Sequence, residues 1–122
     1  MGEETSIFNF ENLNVYKKAL DFINLVYCVT NGFPSEERFA LTDQFRRAAY
    51  SIALNTAEGY GTSNLEFKRY LKISKGSIRE CVAIISISKM REYIDYKTEA
   101  KLRRLCTELS KMLSGLINSL KQ

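Results

Sequence analysis

The sequence predicts an all-α fold, an up-down-up-down antiparallel four-helix bundle, on three observations. Apolar residues recur at spacings of three and four in four separate segments. Asn31-Gly32, Pro34 and the Gly59-Tyr60-Gly61 run fall at the joints between them, as turns between helices do. No segment sustains the alternation of a strand. At 122 residues and 45% hydrophobic content, without a linker-like shift in composition, residues 1–122 are expected to form one domain, with 1–9 a flexible start.

The first helix is expected over about residues 13–30, where Leu13, Tyr16, Leu20, Ile23 and Tyr27 share a face. Asn31-Gly32 supplies a left-handed stop and Pro34 prevents continuation. The second helix starts between Ser35 and Leu41 and ends at Gly59. The third opens on a capping box, Ser63-Asn64-Leu65-Glu66, and should run to about Tyr93, presenting Leu71, Ser74, Ile78, Cys81 and Ile85 to the core. Asp95 caps the fourth, whose Leu102, Leu105, Leu109, Met112 and Leu116 alternate in steps of three and four, the seam of helices packed at shallow angles. Short connections make neighbours antiparallel. A third helix of about 45 Å beside a first of about 27 Å predicts an uneven bundle with a projecting hairpin.

In the second helix Leu41, Phe45, Ala48, Ala49, Ile52 and Thr56 form the expected core face. Arg47, Ser51, Asn55 and Glu58 make a polar stripe on its flank, and Tyr50 and Leu54 point away from the core. The first helix is also apolar on its back, through Val15, Phe22, Val26 and Val29. Doubly apolar helices fit subunit contacts, or else packing within a wide bundle. Gly59 and Gly61 read as a helix stop and a turn, with Tyr60 as a lid on the end of the core.

Several chemistries are disfavoured. The chain has no histidine, so Ser-His and Cys-His nucleophiles and Glu-x-x-His di-metal sites cannot be built. There is no paired-cysteine zinc spacing, and no metal or cofactor is expected. The three separated cysteines, Cys28, Cys81 and Cys106, read as buried free thiols. An acid-base pair of Glu58 with Glu80 is the remaining catalytic option; the structural alternative is a semi-buried polar network of Arg47, Asn55, Glu58 and Glu80. Gly-Tyr-Gly without a preceding strand and a following lysine is no phosphate loop. No apolar run is long enough to span a bilayer and the first ten residues lack a leader's pattern, so a soluble, cytoplasmic protein is expected.

Lys+Arg outnumber Asp+Glu by 18 to 14, and the excess is concentrated on the third helix. Lys68, Lys72, Lys75 and Arg79 are spaced by four, three and four, within about 60° of one another around the helix. Such a row is about 17 Å long and matches phosphates along a strand; a solvated face is the plainer reading. No base-reading motif accompanies it, so recognition would be of backbone and shape.

The blocks "FENLNVYKKA" (10–19), "FPSEERFALTDQFRRAAYSIALNTAEGYG" (33–61) and "EFKRYLKISKGSIRE" (66–80) resemble the bacterial four-helix-bundle family encoded in 23S ribosomal RNA intervening sequences. The resemblance covers about residues 10–120. Its most specific part is Leu41-Thr42, Gln44, Arg46-Arg47-Ala48, Ser51-Ile52, Asn55 and Ala57-Glu58-Gly59, with Gly76-Ser77 and Glu80. Tyr16 stands where the family often has tryptophan, and Ala53 where proline is common. The resemblance implies a ring-shaped homo-oligomer, a pentamer. It also implies similarity to the accessory variability proteins of diversity-generating retroelements, basic pentamers that bind a reverse transcriptase and nucleic acid.

The expected function is therefore a non-enzymatic oligomer that contacts RNA or DNA backbone through Lys68, Lys72, Lys75 and Arg79, supported by Arg46 and Arg69. A ring would multiply a weak stripe into avidity. The alternative is a module that docks a protein partner, with charge serving solubility and steering.

Overall fold

The computed structural model describes residues 7–120. Four helices carry the chain: α1 (Asn14–Thr30), α2 (Leu41–Gly59), α3 (Asn64–Met90) and α4 (Tyr96–Ser119), with no strand among the described residues. Of the expected flexible start, residues 1–6 lie outside the described residues; Asn9–Asn12 is a 3-10 turn, and the Phe10 ring meets Tyr16 edge-on at 5.1 Å.

Successive helices run in opposite senses. Tyr27 faces Tyr50 and Thr30 faces Arg46 between α1 and α2; Ser77 bonds Ser51 and Glu80 bonds Gln44 between α2 and α3. Between α3 and α4, Lys75 meets Ser114 and Ser86 meets Arg103, and Lys18 to Glu108 closes α1 onto α4. The capping residues act as their chemistry requires. Ser63 Oγ accepts from the Glu66 amide at 3.1 Å and Asp95 Oδ1 from the Thr98 amide at 2.8 Å, each satisfying an amide that the first turn leaves free.

Phe45, Ala48, Ala49, Ile52 and Thr56 of α2 are buried as their spacing predicts, joined by Ala53. They pack with Leu71, Ile78, Cys81 and Ile85 of α3 and Leu102, Leu109 and Leu113 of α4. In α1 the expectation is reversed. Val15, Ala19, Phe22, Val26 and Thr30 face the core, while Leu20 is exposed and Tyr16, Ile23 and Tyr27 are half-buried. Both stripes have helical spacing; the one inside carries Ala19, whose small side chain lets α1 approach its neighbours, beside Phe22, which fills the interior.

The expected projecting hairpin is absent. α3 has 27 residues against 17 in α1, but the α1–α2 connection folds over the α3–α4 turn and takes up the difference. Phe33 and Ile94 are buried there, the Phe33 and Tyr93 rings lie 5.2 Å apart, and Tyr93 Oη donates to Glu37 Oε2 at 2.7 Å. At the other end, Tyr60 sets its ring edge against Phe67. Gly61, at φ +86°, makes the turn. Gly59 is the last residue of α2, as expected of a helix stop, and it also brings the backbone against Tyr70.

Candidate nucleic-acid interface

The spacing of Lys68, Lys72, Lys75 and Arg79 places them along the edge of α3 that borders α4 and its outer face. Lys72 and Arg79 are exposed, and Lys68 and Lys75 half-buried. Lys75 Nζ donates to Ser114 Oγ of α4 at 2.6 Å. This partner is neutral, so the ammonium is held in place without its charge being cancelled. Arg79 leans back along its own helix, with Nη2 3.5 Å from where a Cβ on Gly76 would lie. None of the four forms an ion pair among the described residues.

Two other bases, Arg69 and Arg46, are engaged by protein groups. Arg69 donates twice to Glu66 Oε1, at 3.2 and 2.8 Å, and this bonding raises the guanidinium's pKa. Arg46 lies with its guanidinium carbon 4.1 Å from the centre of the Tyr27 ring, and it donates to Thr30 Oγ1 and Asn31 Oδ1. Both residues expected to support the stripe are thus engaged elsewhere, Arg46 on the α1–α2 side of the bundle.

Cations on α4 extend the stripe, and the sequence reading missed them. Lys111 lines the same groove as Arg79. Lys97, Lys101 and Arg104 flank an open hollow along α4, and at spacings of four and three they share a helix face. The signal was legible as a second basic row, but it is interrupted by Glu99 and Glu108. Those acids turn aside, Glu99 to Arg103 and Glu108 to Lys18, whose hydrogen bond holds the Glu108 carboxyl below its ordinary pKa.

Arg47, Asn55, Glu58 and Glu80 occupy separate places. Arg47 pairs with Asp43 at 3.0 Å on the surface, and Gln44 Nε2 donates to Glu80 Oε2 at 2.7 Å. Asn55 Nδ2 donates to Ser51, whose Oγ accepts from Ser77 across the α2–α3 seam at 2.7 Å. Glu58 is exposed near the end of α2. Because Glu80 is anchored at Gln44, about 21 Å along α2 from Glu58, the two carboxylates cannot act on one substrate bond. Deeper in the seam, Thr56 and Ser74 share a hydrogen bond and Ser74 Oγ donates to the Ile52 carbonyl at 3.0 Å. Every buried side-chain nitrogen or oxygen among the described residues has a partner.

The cysteines divide. Cys81 and Cys106 are buried, and burial pushes both thiols up, Cys106 to about 12, so they stay protonated near neutrality. Cys28 is exposed, contrary to expectation, because the buried face of α1 lies on its other side. Among the described residues no three of Cys, Asp and Glu cluster as a metal site would require, and no helix is long and apolar enough to cross a membrane.

Comparison with solved structures finds a crystal structure of a protein of unknown function from the S23 ribosomal protein family of Bacteroides thetaiotaomicron VPI-5482. It shares 23% identity and a TM-score of 0.78, covering 86% of this chain and 99% of that one. At that identity the likeness shows the fold. Comparison with curated proteins gives no match. The model of the family described as 23S rRNA-intervening sequence protein matches residues 11–115, nearly the whole helical bundle, and the chain belongs to that family.

Proposed function

We propose that this protein is a non-enzymatic, self-associating bundle that holds nucleic-acid backbone on the cationic face shared by α3 and α4. The observation that carries the reading is the clustering of uncancelled charge. Lys68, Lys72, Lys75 and Arg79 stand in one row on α3, Arg104 and Lys111 stand on the neighbouring α4, and none of the six has a carboxylate partner among the described residues. Cations left without internal partners on one face are available to phosphates, and a row of them along a helix follows a strand. Lys111 and Arg104 widen the row into a surface two helices across.

Self-association is supported by the outer side of α1 and α2, where Leu20, Tyr50 and Leu54 are exposed. Apolar side chains on two adjacent helices suit a subunit contact. A closed ring of five protomers in the cytoplasm is the assembly we favour, and it would present five such faces to one strand.

The test is a titration of labelled structured RNA and duplex DNA across a salt series, beside a variant with Lys68, Lys72, Lys75 and Arg79 all changed to glutamine. A log-log slope of about −3 or steeper on duplex, flattened in the variant, is the expected result. Absence of binding at low salt would overturn the proposal.

A second reading is favoured by a separate patch. Phe39 is 86% exposed beside Ile87, and Met90 lies a turn further along α3 at 70%. This end of the bundle suits an apolar protein partner, a reverse transcriptase among them, and such docking would be insensitive to salt.

A further inference from the structure

Between the two cationic rows lies an apolar slot of about 460 Å³. Ile78 and Val82 of α3 form one wall, and Cys106, Thr107 and Ser110 of α4 the other, with Arg79 and Lys111 also lining it. Two interhelical hydrogen bonds mark its ends. Lys75 Nζ donates to Ser114 Oγ at 2.6 Å on one side, and Arg103 Nη2 donates to Ser86 Oγ at 2.9 Å on the other. Lys75 and Ser86 stand about 16 Å apart along α3, so the slot is bounded in length.

Those bounds and the lining select an occupant. A partner helix laid along the groove would run over both bridging side chains, whereas a single group shorter than that span lies between them. No carboxylate lines the slot, and the buried Cys106 thiol stays protonated near neutrality, so no negative charge lies within it. Its walls offer aliphatic contact to the faces of a ring, its Thr107 and Ser110 hydroxyls can donate to or accept from a ring's edge, and its flanking cations meet negative charge outside it. Apolar walls, hydroxyls and cations arranged in that order are the complement of a nucleotide.

We infer that the slot receives one unpaired nucleotide of the strand held on the α3–α4 face, with the base between Val82 and Thr107 and the flanking phosphates on Arg79 and Lys111. This rests on the proposed phosphate-binding role of that face. It adds a preference: a base paired within a duplex cannot enter, so strands with a bulge bind better than perfect duplexes.

The test compares two RNA hairpins of equal length, one fully paired and one with a single bulged 2-aminopurine, binding to the full chain at fixed salt. Wild type is expected to bind the bulged hairpin about tenfold more tightly and to change the 2-aminopurine emission. Ser110→Phe, which fills the slot, should abolish both effects and keep the affinity for the paired hairpin. Thr107→Phe, at an exposed position, gives the same reading if Ser110→Phe melts early. Adenosine monophosphate should compete with the bulged hairpin only.

Equal wild-type affinity for both hairpins, with the salt slope still dependent on Lys68, Lys72, Lys75 and Arg79, would overturn the slot while leaving the phosphate face standing. Binding to neither hairpin would overturn both. Binding of the mononucleotide without any preference for the bulge would show a site for free nucleotides and overturn the claim about the strand.

Discussion

Gly59 of α2 and Tyr70 of α3 are in such close approach that a Cβ added to the glycine would lie 2.6 Å from Tyr70 Cβ and 3.0 Å from its ring. The conflict involves the root of the tyrosine side chain, which cannot swing away without moving α3. Gly59→Ala should therefore destabilise the bundle by about 1–3 kcal/mol, as overpacking does. Gly115, inside α4, has nothing within 4 Å of its added Cβ, so Gly115→Ala should stabilise by about 0.5–1 kcal/mol through helix propensity. Urea unfolding of the two variants, with opposite shifts in midpoint, checks the contrast.

Glu92 ends α3 at φ +64°, a left-handed conformation that glycine adopts freely and a residue with a Cβ does not. Its amide donates to the Lys89 carbonyl at 2.9 Å, and the Tyr93 amide to the Ser88 carbonyl at 2.9 Å, so the backbone holds the geometry whichever residue stands there. Glu92→Gly should raise stability by about 1 kcal/mol and Glu92→Val should lower it. Thermal melts at one pH measure both.

The Glu37 carboxyl is held below its ordinary pKa first by the Tyr93 hydroxyl, and then by the Leu41 amide. Glu108 and Asp95 are lowered in the same direction, by Lys18 and by the Thr98 amide. A carboxyl depressed in the folded state contributes stability that is present above its unfolded pKa, about 4, and is lost as pH falls through the lower folded value. Stability should therefore decline below about pH 4. Tyr93→Phe should make that decline shallower by removing the largest cause at Glu37. Melts of both proteins between neutral and acid pH give the comparison.

These effects separate what the sequence discloses from what only packing decides. The core face of α2 and the caps at Ser63 and Asp95 depend on local periodicity and on one side chain reaching one amide, so they are legible in the chain order. α1 has two stripes of equal periodicity, and the buried one is set by the neighbours it meets, which no spacing encodes. The α3 cations were legible as a row, yet their lack of partners depended on where Glu66, Glu80 and Glu108 turn. The slot between α3 and α4 needs residues about 30 positions apart brought into register by antiparallel packing, so it was out of reach of sequence reading.

Self-association has a direct test at Leu54, which is 64% exposed on the outer side of α2 and contributes nothing to the core. Leu54→Asp should leave the melting temperature of the isolated bundle nearly unchanged, because an exposed substitution seldom shifts stability by more than about 0.5 kcal/mol. In an assembly that buries Leu54, the same change would put an unpaired carboxylate into an apolar contact and disfavour it strongly. Sedimentation should then show wild type as an oligomer and Leu54→Asp as a folded monomer. The monomer should also bind a long strand more weakly while keeping its affinity for a strand short enough to touch one protomer, since only avidity is lost. A wild-type protein that sediments as a monomer at working concentration would remove the ring from the proposed function and leave each cationic face to act alone.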